Sequence, residues 1–359
     1  MVASTHRTSC KILTIVGARP QFIKAVAVSK ALLRYSKVQE VMVHTGQHFD
    51  QNMSDIFFNE LKIPKPTYNL AIHGGLHGQM TGRMLESIEN VMKEEKPDVV
   101  LVYGDTNSTL AGALAAAKLH IPVCHVEAGL RSFNKRMPEE INRLLTDHMS
   151  TLLFCPTLTS VSNLEQEGIN QGIYHVGDVM YDVVLQMAPF AKERSTILQR
   201  LELEDRPYAL ATIHRAENTD SCDQLQNVIH YLNRESEIQN LKMVLPLHPR
   251  TKIFSEKHGV DFKNLLVCEP LGYLDLQRLL QGAKLVFTDS GGLQKEAYFH
   301  QVPCVTLRNE TEWVETITYG WNRLWNTEVY AEPRVTIPDY GSGKAAECVV
   351  ETMENTFHF

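Results

Sequence analysis

With 359 residues the chain is long enough for two domains, each with a core of its own. A net charge of −7 with both signs scattered, and no apolar stretch long enough to span a bilayer, argue against a general nucleic-acid or membrane binder and for a cytosolic enzyme. Seven cysteines show no CxxC spacing, which argues against zinc or a disulfide framework; Cys124, Cys155, Cys268 and Cys304 lie in apolar runs and read as buried thiols.

Residues 1–10 are polar and read as a loose leader without the apolar core of a signal peptide. Short apolar or β-branched runs then follow at 11–16, 38–45, 98–103, 122–127, 152–155 and 173–177. Amphipathic segments such as 106–119 and 138–150 separate them, and a helical stretch is expected at about 178–200. A second series of strands is expected at 208–214, 242–248, 265–270, 284–289 and 303–308. Such alternation is the mark of α/β folding on parallel sheets. Two sets predict two Rossmann-like domains facing each other across a cleft, about 11–177 and 178–340. No repeat of solenoid period and no low-complexity tract interrupts this order. Met80, Met84 and Met92 have the spacing of a helix face and read as core. His73 and His77 have the i,i+4 spacing of a metal pair, but Gly74, Gly75 and Gly78 argue against a stable helix; a loop closing on a ligand and a plain turn both stay open.

Ligands of doubly wound sheets bind beyond the carboxyl ends of the strands, so functional residues should collect there. The first run leads into Gly17-Ala18-Arg19-Pro20, with Lys24 one turn on; Arg19 and Lys24 are placed to reach a diphosphate. Other runs end in Gly104-Asp105-Thr106, in Glu127-Ala128-Gly129, in His214-Arg215 and in His248-Pro249-Arg250. The run 284–289 ends in Asp289-Ser290-Gly291-Gly292, followed by helix-compatible residues. Free amides and the positive end of a helix dipole favour phosphate there. Glu296, four residues after Gly292, faces the same side and suits ribose hydroxyls. An anion beside a diol points to a nucleotide or nucleotide-sugar; a turn that only joins strand to helix is the plainer reading. Glu139 and Glu140 likewise suit a helix N-terminus structurally, with Arg143 in reach, and His214 alone would pass as a strand-end histidine.

Taken in order, GARPQFIK, TGQH, YGDTNSTLAG, HVEAGLRS, MPEEINRLLTDH, HRAEN, HPR and TDSGGLQKEA closely resemble the non-hydrolysing UDP-N-acetylglucosamine 2-epimerase family. The resemblance covers roughly 11–320, and YGSGKAAECVVETM at 340–353 matches the family's closing helix. It implies a two-domain architecture like that of GT-B glycosyltransferases, with helix 341–359 packing back on the first domain, and a homodimer. It also implies elimination of UDP from C1 with loss of the C2 proton, and re-addition of UDP with C2 inverted, without cofactor or metal. By the same resemblance Asp105, Glu127, Glu139 and His214 move protons. Arg19, Lys24, Arg143, His214, Arg215, His248, Ser290, Gly291, Gly292 and Glu296 would hold UDP and sugar.

Three departures bear on the substrate. Thr311-Glu312-Trp313-Val314-Glu315 replaces the family's TERPE, exchanging a bidentate cation for an indole. The segment between Gly320 and Tyr340 is short, and Phe49-Asp50 stands where Arg-Glu is common, which weakens any inference of activation through a second site. GARPQFIK with TEWVE is more similar to relatives acting on UDP-2,3-diacetamido-2,3-dideoxy-glucuronic acid, so that sugar and UDP-N-acetylglucosamine both stay open, the former favoured. A hydrolysing 2-epimerase and a GT-B glycosyltransferase share the fold and the UDP site, and stay open as other classes. Precursors of lipopolysaccharide or capsule would be the destination of the product.

Overall fold

The computed structural model describes residues 9–47, 65–247 and 249–359. The chain divides into two compact units, one of 1–183 with 338–359 and one of 184–337.

In the first unit β1 (Cys10–Val16), β2 (Val38–His44), β3 (Tyr68–Asn69), β4 (Val99–Tyr103), β5 (Val123–Val126), β6 (Leu152–Cys155) and β7 (Ile173–His175) form a parallel sheet. Its order is β3-β2-β1-β4-β5-β6-β7. β4 is buried from end to end, as a strand covered by helices on both faces must be. Ile12 pairs with Val99 and Ile15 with Val102, so β1 and β4 lie side by side at the point where strand order reverses. Gly17 and Gly104, the first residues past these two strands, therefore open on one crevice.

The second unit repeats the design with β8 (Tyr208–Thr212), β9 (Lys242–Pro246), β10 (Leu266–Cys268), β11 (Leu285–Thr288), β12 (Cys304–Thr306) and β13 (Asn322–Leu324), in the order β10-β9-β8-β11-β12-β13. Here the reversal falls between β8 and β11. Thr212 pairs with Thr288, and their hydroxyls lie 2.6 Å apart. Both units are thus parallel, doubly wound, Rossmann-like α/β layers.

Several local expectations need correcting. The strands expected at 208–214, 242–248, 265–270 and 303–308 are shorter, running over Tyr208–Thr212, Lys242–Pro246, Leu266–Cys268 and Cys304–Thr306. β3 and β13, of two and three residues, are too short to give a periodic signal. The stretch at 178–200 breaks into helices Val179–Arg194 and Ile197–Arg200. A helix does form at His77–Glu95 despite Gly78 and Gly82, since Met84, Ile88, Val91 and Met92 give it a buried face. His73 lies before it, so the two histidines do not share a helix face. Met84 and Met92 are in the core with Met80 packed on its edge, while Cys268 is only half-buried. The closing helix Ala345–Phe357 belongs to the first unit and packs on helix Arg19–Leu32. Among the described residues no helix is long and apolar enough to cross a membrane, and no cluster of three or more potential ligands suits a metal.

Candidate active site

In the first unit the expected residues meet at the ends of β1, β4 and β5. Gln21, in the first turn of helix Arg19–Leu32, accepts from the amides of Gly17 and Ala18 at 2.8 and 3.1 Å. Its own amide reaches the carbonyl of Tyr103 and the hydroxyl of Thr109 at 2.7 and 2.8 Å. One buried side chain therefore fixes the turn after β1 against the end of β4. Gly17 lies so close to the Thr45 and Ser108 hydroxyls that a Cβ would come within 2.1 Å of each. Arg19 opens the helix half-buried, and Lys24, one turn on, is 5% exposed and forms an ion pair with Glu127.

Glu127 follows β5 with φ +73°, a left-handed conformation that costs a residue with a Cβ on the order of 1–3 kcal/mol. Its amide and that of Ala128 both donate to the Phe154 carbonyl, at 3.0 and 3.1 Å. That kink turns the Glu127 side chain off the sheet toward Lys24. Asp105, past the end of β4, accepts from Arg143 at 2.5 Å. Asn142 holds the Asp105 carbonyl at 2.9 Å and Asn107 at 3.3 Å, and Asn107 in turn contacts His77 at 3.2 Å. His77 is thus tied to the site through two asparagines. Removal from water pushes the Asp105 carboxyl above the usual carboxylate range; Arg143 opposes this, and Glu127 and Glu139 add to it.

Helix Pro138–Met149 carries the rest of the cluster. Glu139 is half-buried in its first turn. Glu140 is a structural residue: 1% exposed, it accepts from the Ser132 and Phe133 amides at 2.9 Å each and from Arg143 at 2.8 Å. Arg143 is 2% exposed and forks between Asp105 and Glu140. The structure thus places Arg143 behind Asp105, as the cation that holds it.

In the second unit His214 and Arg215 follow β8, and the turn Asp289–Gly292 follows β11 at the neighbouring strand end. Asp289, fully buried, accepts from the His214 ring at 3.0 Å, from the Arg215 amide at 3.0 Å and from Asn218 at 3.0 Å. Burial alone would raise its pKa, but His214, Asn218 and the Arg215 amide together hold it below the usual carboxylate range. The Arg215 guanidinium closes the turn by donating to the Asp289 carbonyl at 2.9 Å. His214 keeps 54% of its side chain exposed, so it is oriented from below and open above. Ser290 caps helix Gly291–Phe299 through its hydroxyl, leaving Gly291 and Gly292 as the first helical residues. A Cβ on Gly291 would come within 2.5 Å of a Glu312 carboxylate oxygen and 3.2 Å of the Trp313 ring nitrogen. Glu296 is 5% exposed and accepts from Gln277 at 2.9 Å. Trp313 is buried over the ammonium of Lys295, 3.8 Å from the ring centroid, and Glu312 pairs with Arg308 at 2.9 Å. His248 lies outside the described residues, as does Phe49-Asp50.

The profile of the UDP-N-acetylglucosamine 2-epimerase family matches residues 30–354. The chain belongs to this family. It is 54% identical over 357 residues to the UDP-2,3-diacetamido-2,3-dideoxy-D-glucuronate 2-epimerase of Pseudomonas aeruginosa, covering 96% of this chain and 99% of that one. A UDP-N-acetylglucosamine 2-epimerase homolog of Methanococcus maripaludis is 51% identical over 361 residues, with the same shares covered. The crystal structure of Methanocaldococcus jannaschii UDP-GlcNAc 2-epimerase in complex with UDP-GlcNAc and UDP superposes with a TM-score of 0.86 at 40% identity, covering 96% of this chain and 99% of that one. Membership of the family agrees with the resemblance carried by the eight ordered motifs. Asp289, Gln21 and Asn142 were not singled out from sequence; each reads as an ordinary strand-end or helix residue until its partners are known.

Proposed function

We propose that this chain is a non-hydrolysing UDP-sugar 2-epimerase in which the first unit supplies the groups that move the C2 proton and the second most of those that hold UDP. The observation that carries the reading is a pair of carboxylates at neighbouring strand ends in unlike settings. Glu127 is paired with Lys24 and suits the ionised base. Asp105, pushed up by burial and steadied by Arg143, suits the acid that returns a proton. Glu139, half-buried and near enough to raise Asp105, joins them. In the second unit the amides of Gly291 and Gly292, the Ser290 cap and the oriented His214 form a cradle for a departing diphosphate. Arg19, Arg215, His248 and Glu296 complete the proposed UDP ligands.

UDP-2,3-diacetamido-2,3-dideoxy-glucuronic acid is the substrate we favour. The relative at 54% identity carries that activity in its name, and Trp313 over Lys295 stands where an arginine would be in TERPE. The reading includes a cytoplasmic homodimer supplying precursors of cell-surface polysaccharide, on the strength of the family resemblance.

Proton NMR in deuterated water, with this sugar and separately with UDP-N-acetylglucosamine, tests the proposal. A manno-configured UDP-sugar carrying deuterium at C2 is expected, formed faster from the diacetamido acid. Turnover of UDP-N-acetylglucosamine alone would overturn the substrate, free sugar plus UDP would move the protein to the hydrolysing class, and no C2 exchange with either would return it to the transferases.

A further inference from the structure

His125 lies within β5, two residues before Glu127, and none of its side chain is exposed. Its Nδ1 lies 2.7 Å from Asp147 Oδ1, and its Nε2 lies 2.7 Å from the carbonyl oxygen of Gly104. A carbonyl only accepts, so Nε2 carries a proton. Asp147 also accepts from Arg131 Nη1 at 2.7 Å and from the Gly129 amide at 3.1 Å. Burial alone would raise its pKa, yet His125 and Arg131 keep it below the usual carboxylate range. Both ring nitrogens therefore have buried partners. Arg131 is closed on its other side by Glu167, at 2.6 and 2.8 Å.

The cluster is linked to the backbone on both sides of the proposed proton-transfer pair. Gly104 immediately precedes Asp105, and Gly129 follows Glu127 by two residues. We propose that His125 and Asp147 act as a positioning pair setting the spacing of Asp105 and Glu127. This rests on the reading of those two carboxylates as the proton-transfer groups. Removing the ring would leave the buried Gly104 carbonyl without this donor and release one of the two strand ends.

The test uses His125→Gln and Asp147→Asn, with folding checked by circular dichroism. C2 deuterium exchange is expected to slow roughly tenfold or more in kcat. The Kd for UDP should hold within about twofold, because the pair sets the spacing of the proton-transfer groups and is not itself among the proposed UDP ligands. A wild-type kcat in a folded His125→Gln protein would overturn the positioning role. Should His125→Gln fail to fold, His125→Asn is measured in its place, and a wild-type kcat there overturns the role equally. Asp105→Asn and Glu127→Gln separate the two readings: if both keep the wild-type rate, the carboxylate reading itself fails and takes this one with it. If both are inactive while His125→Gln is not, only the positioning role fails.

Discussion

The Arg143 guanidinium donates to Asp105 at 2.5 Å while its other edge holds Glu140 at 2.8 Å, and 2% of the arginine is exposed. One buried cation therefore serves a catalytic candidate and a loop anchor together. The fork geometry matters, because a lysine ammonium in the same place would lack the planar pair of donors.

Replacing Arg143 with alanine leaves Glu140 buried without its cation, and is expected to destabilise the protein by about 3 kcal/mol. Arg143→Lys should lose less stability but a large part of the exchange rate, because Asp105 is no longer held. Urea unfolding and C2 deuterium exchange read the two effects separately. A loss below about 1 kcal/mol for the alanine variant would mean that water satisfies Glu140.

Asp289 aligns the His214 ring and two backbone amides at the turn proposed to hold diphosphate. Asn in its place keeps the shape but removes the charge and half of the acceptor capacity. Asp289→Asn is expected to weaken UDP binding roughly tenfold through misaligned His214, a ratio that corresponds to about 1.4 kcal/mol. Calorimetric titration with UDP measures it, and an unchanged Kd would show that His214 does not bind the nucleotide.

Much of this was legible in sequence because buried parallel strands announce themselves as apolar runs, and β4 and β11 do so at Val99–Tyr103 and Leu285–Thr288. Strand ends likewise located Asp105, Glu127, His214 and Ser290 just past β4, β5, β8 and β11, where the structure has them. What sequence did not carry was which side chain faces which. Arg143 has the spacing of a partner for Glu139, but Glu140, three residues before it, takes its fork. Lys24 has the place of a phosphate ligand, but it is paired with Glu127. Both outcomes depend on side-chain direction in the folded unit. No periodicity encodes that direction. Asp289 passed as a turn residue for the same reason, since all four donors to its carboxylate come from residues more than seventy positions away.

At Gly17 the sequence alone shows a turn, whereas the structure shows a close approach. A methyl group there would press on Ser108 Oγ and Thr45 Oγ1, which bond each other at 2.8 Å in the core. Gly17→Ala is expected to cost about 1–3 kcal/mol by overpacking. It should also reduce turnover by shifting the turn that leads to Arg19. Thermal unfolding and the exchange assay check both, and a variant as stable and as active as the wild type would show that the turn has room to move.

Asp182 predicts a pH dependence of stability. Buried in helix Val179–Arg194, it accepts from the amides of Ala345 and Ala346 at 3.1 and 2.7 Å, capping the closing helix. Burial pushes its carboxyl up to about 6 against the pull of those amides, with Asp178 and Glu347 adding to the rise. The unfolded chain holds an aspartate at about 3.9. Between these values the folded state binds a proton that the unfolded state does not, so this group's contribution is full below about pH 4 and is lost as pH rises through about 6. Two pKa units correspond to something on the order of 2–3 kcal/mol. Asp182→Asn removes the titration but gives up one acceptor, so it should start less stable at pH 4 and close the gap toward pH 7. Urea midpoints of the two proteins across that range measure the gap. Other carboxylates with lowered pKa, Asp289 among them, change stability in the opposite sense, and taking the difference between the two proteins cancels their contribution. A gap that stays constant from pH 4 to 7 would show that Asp182 titrates alike in the folded and unfolded chains.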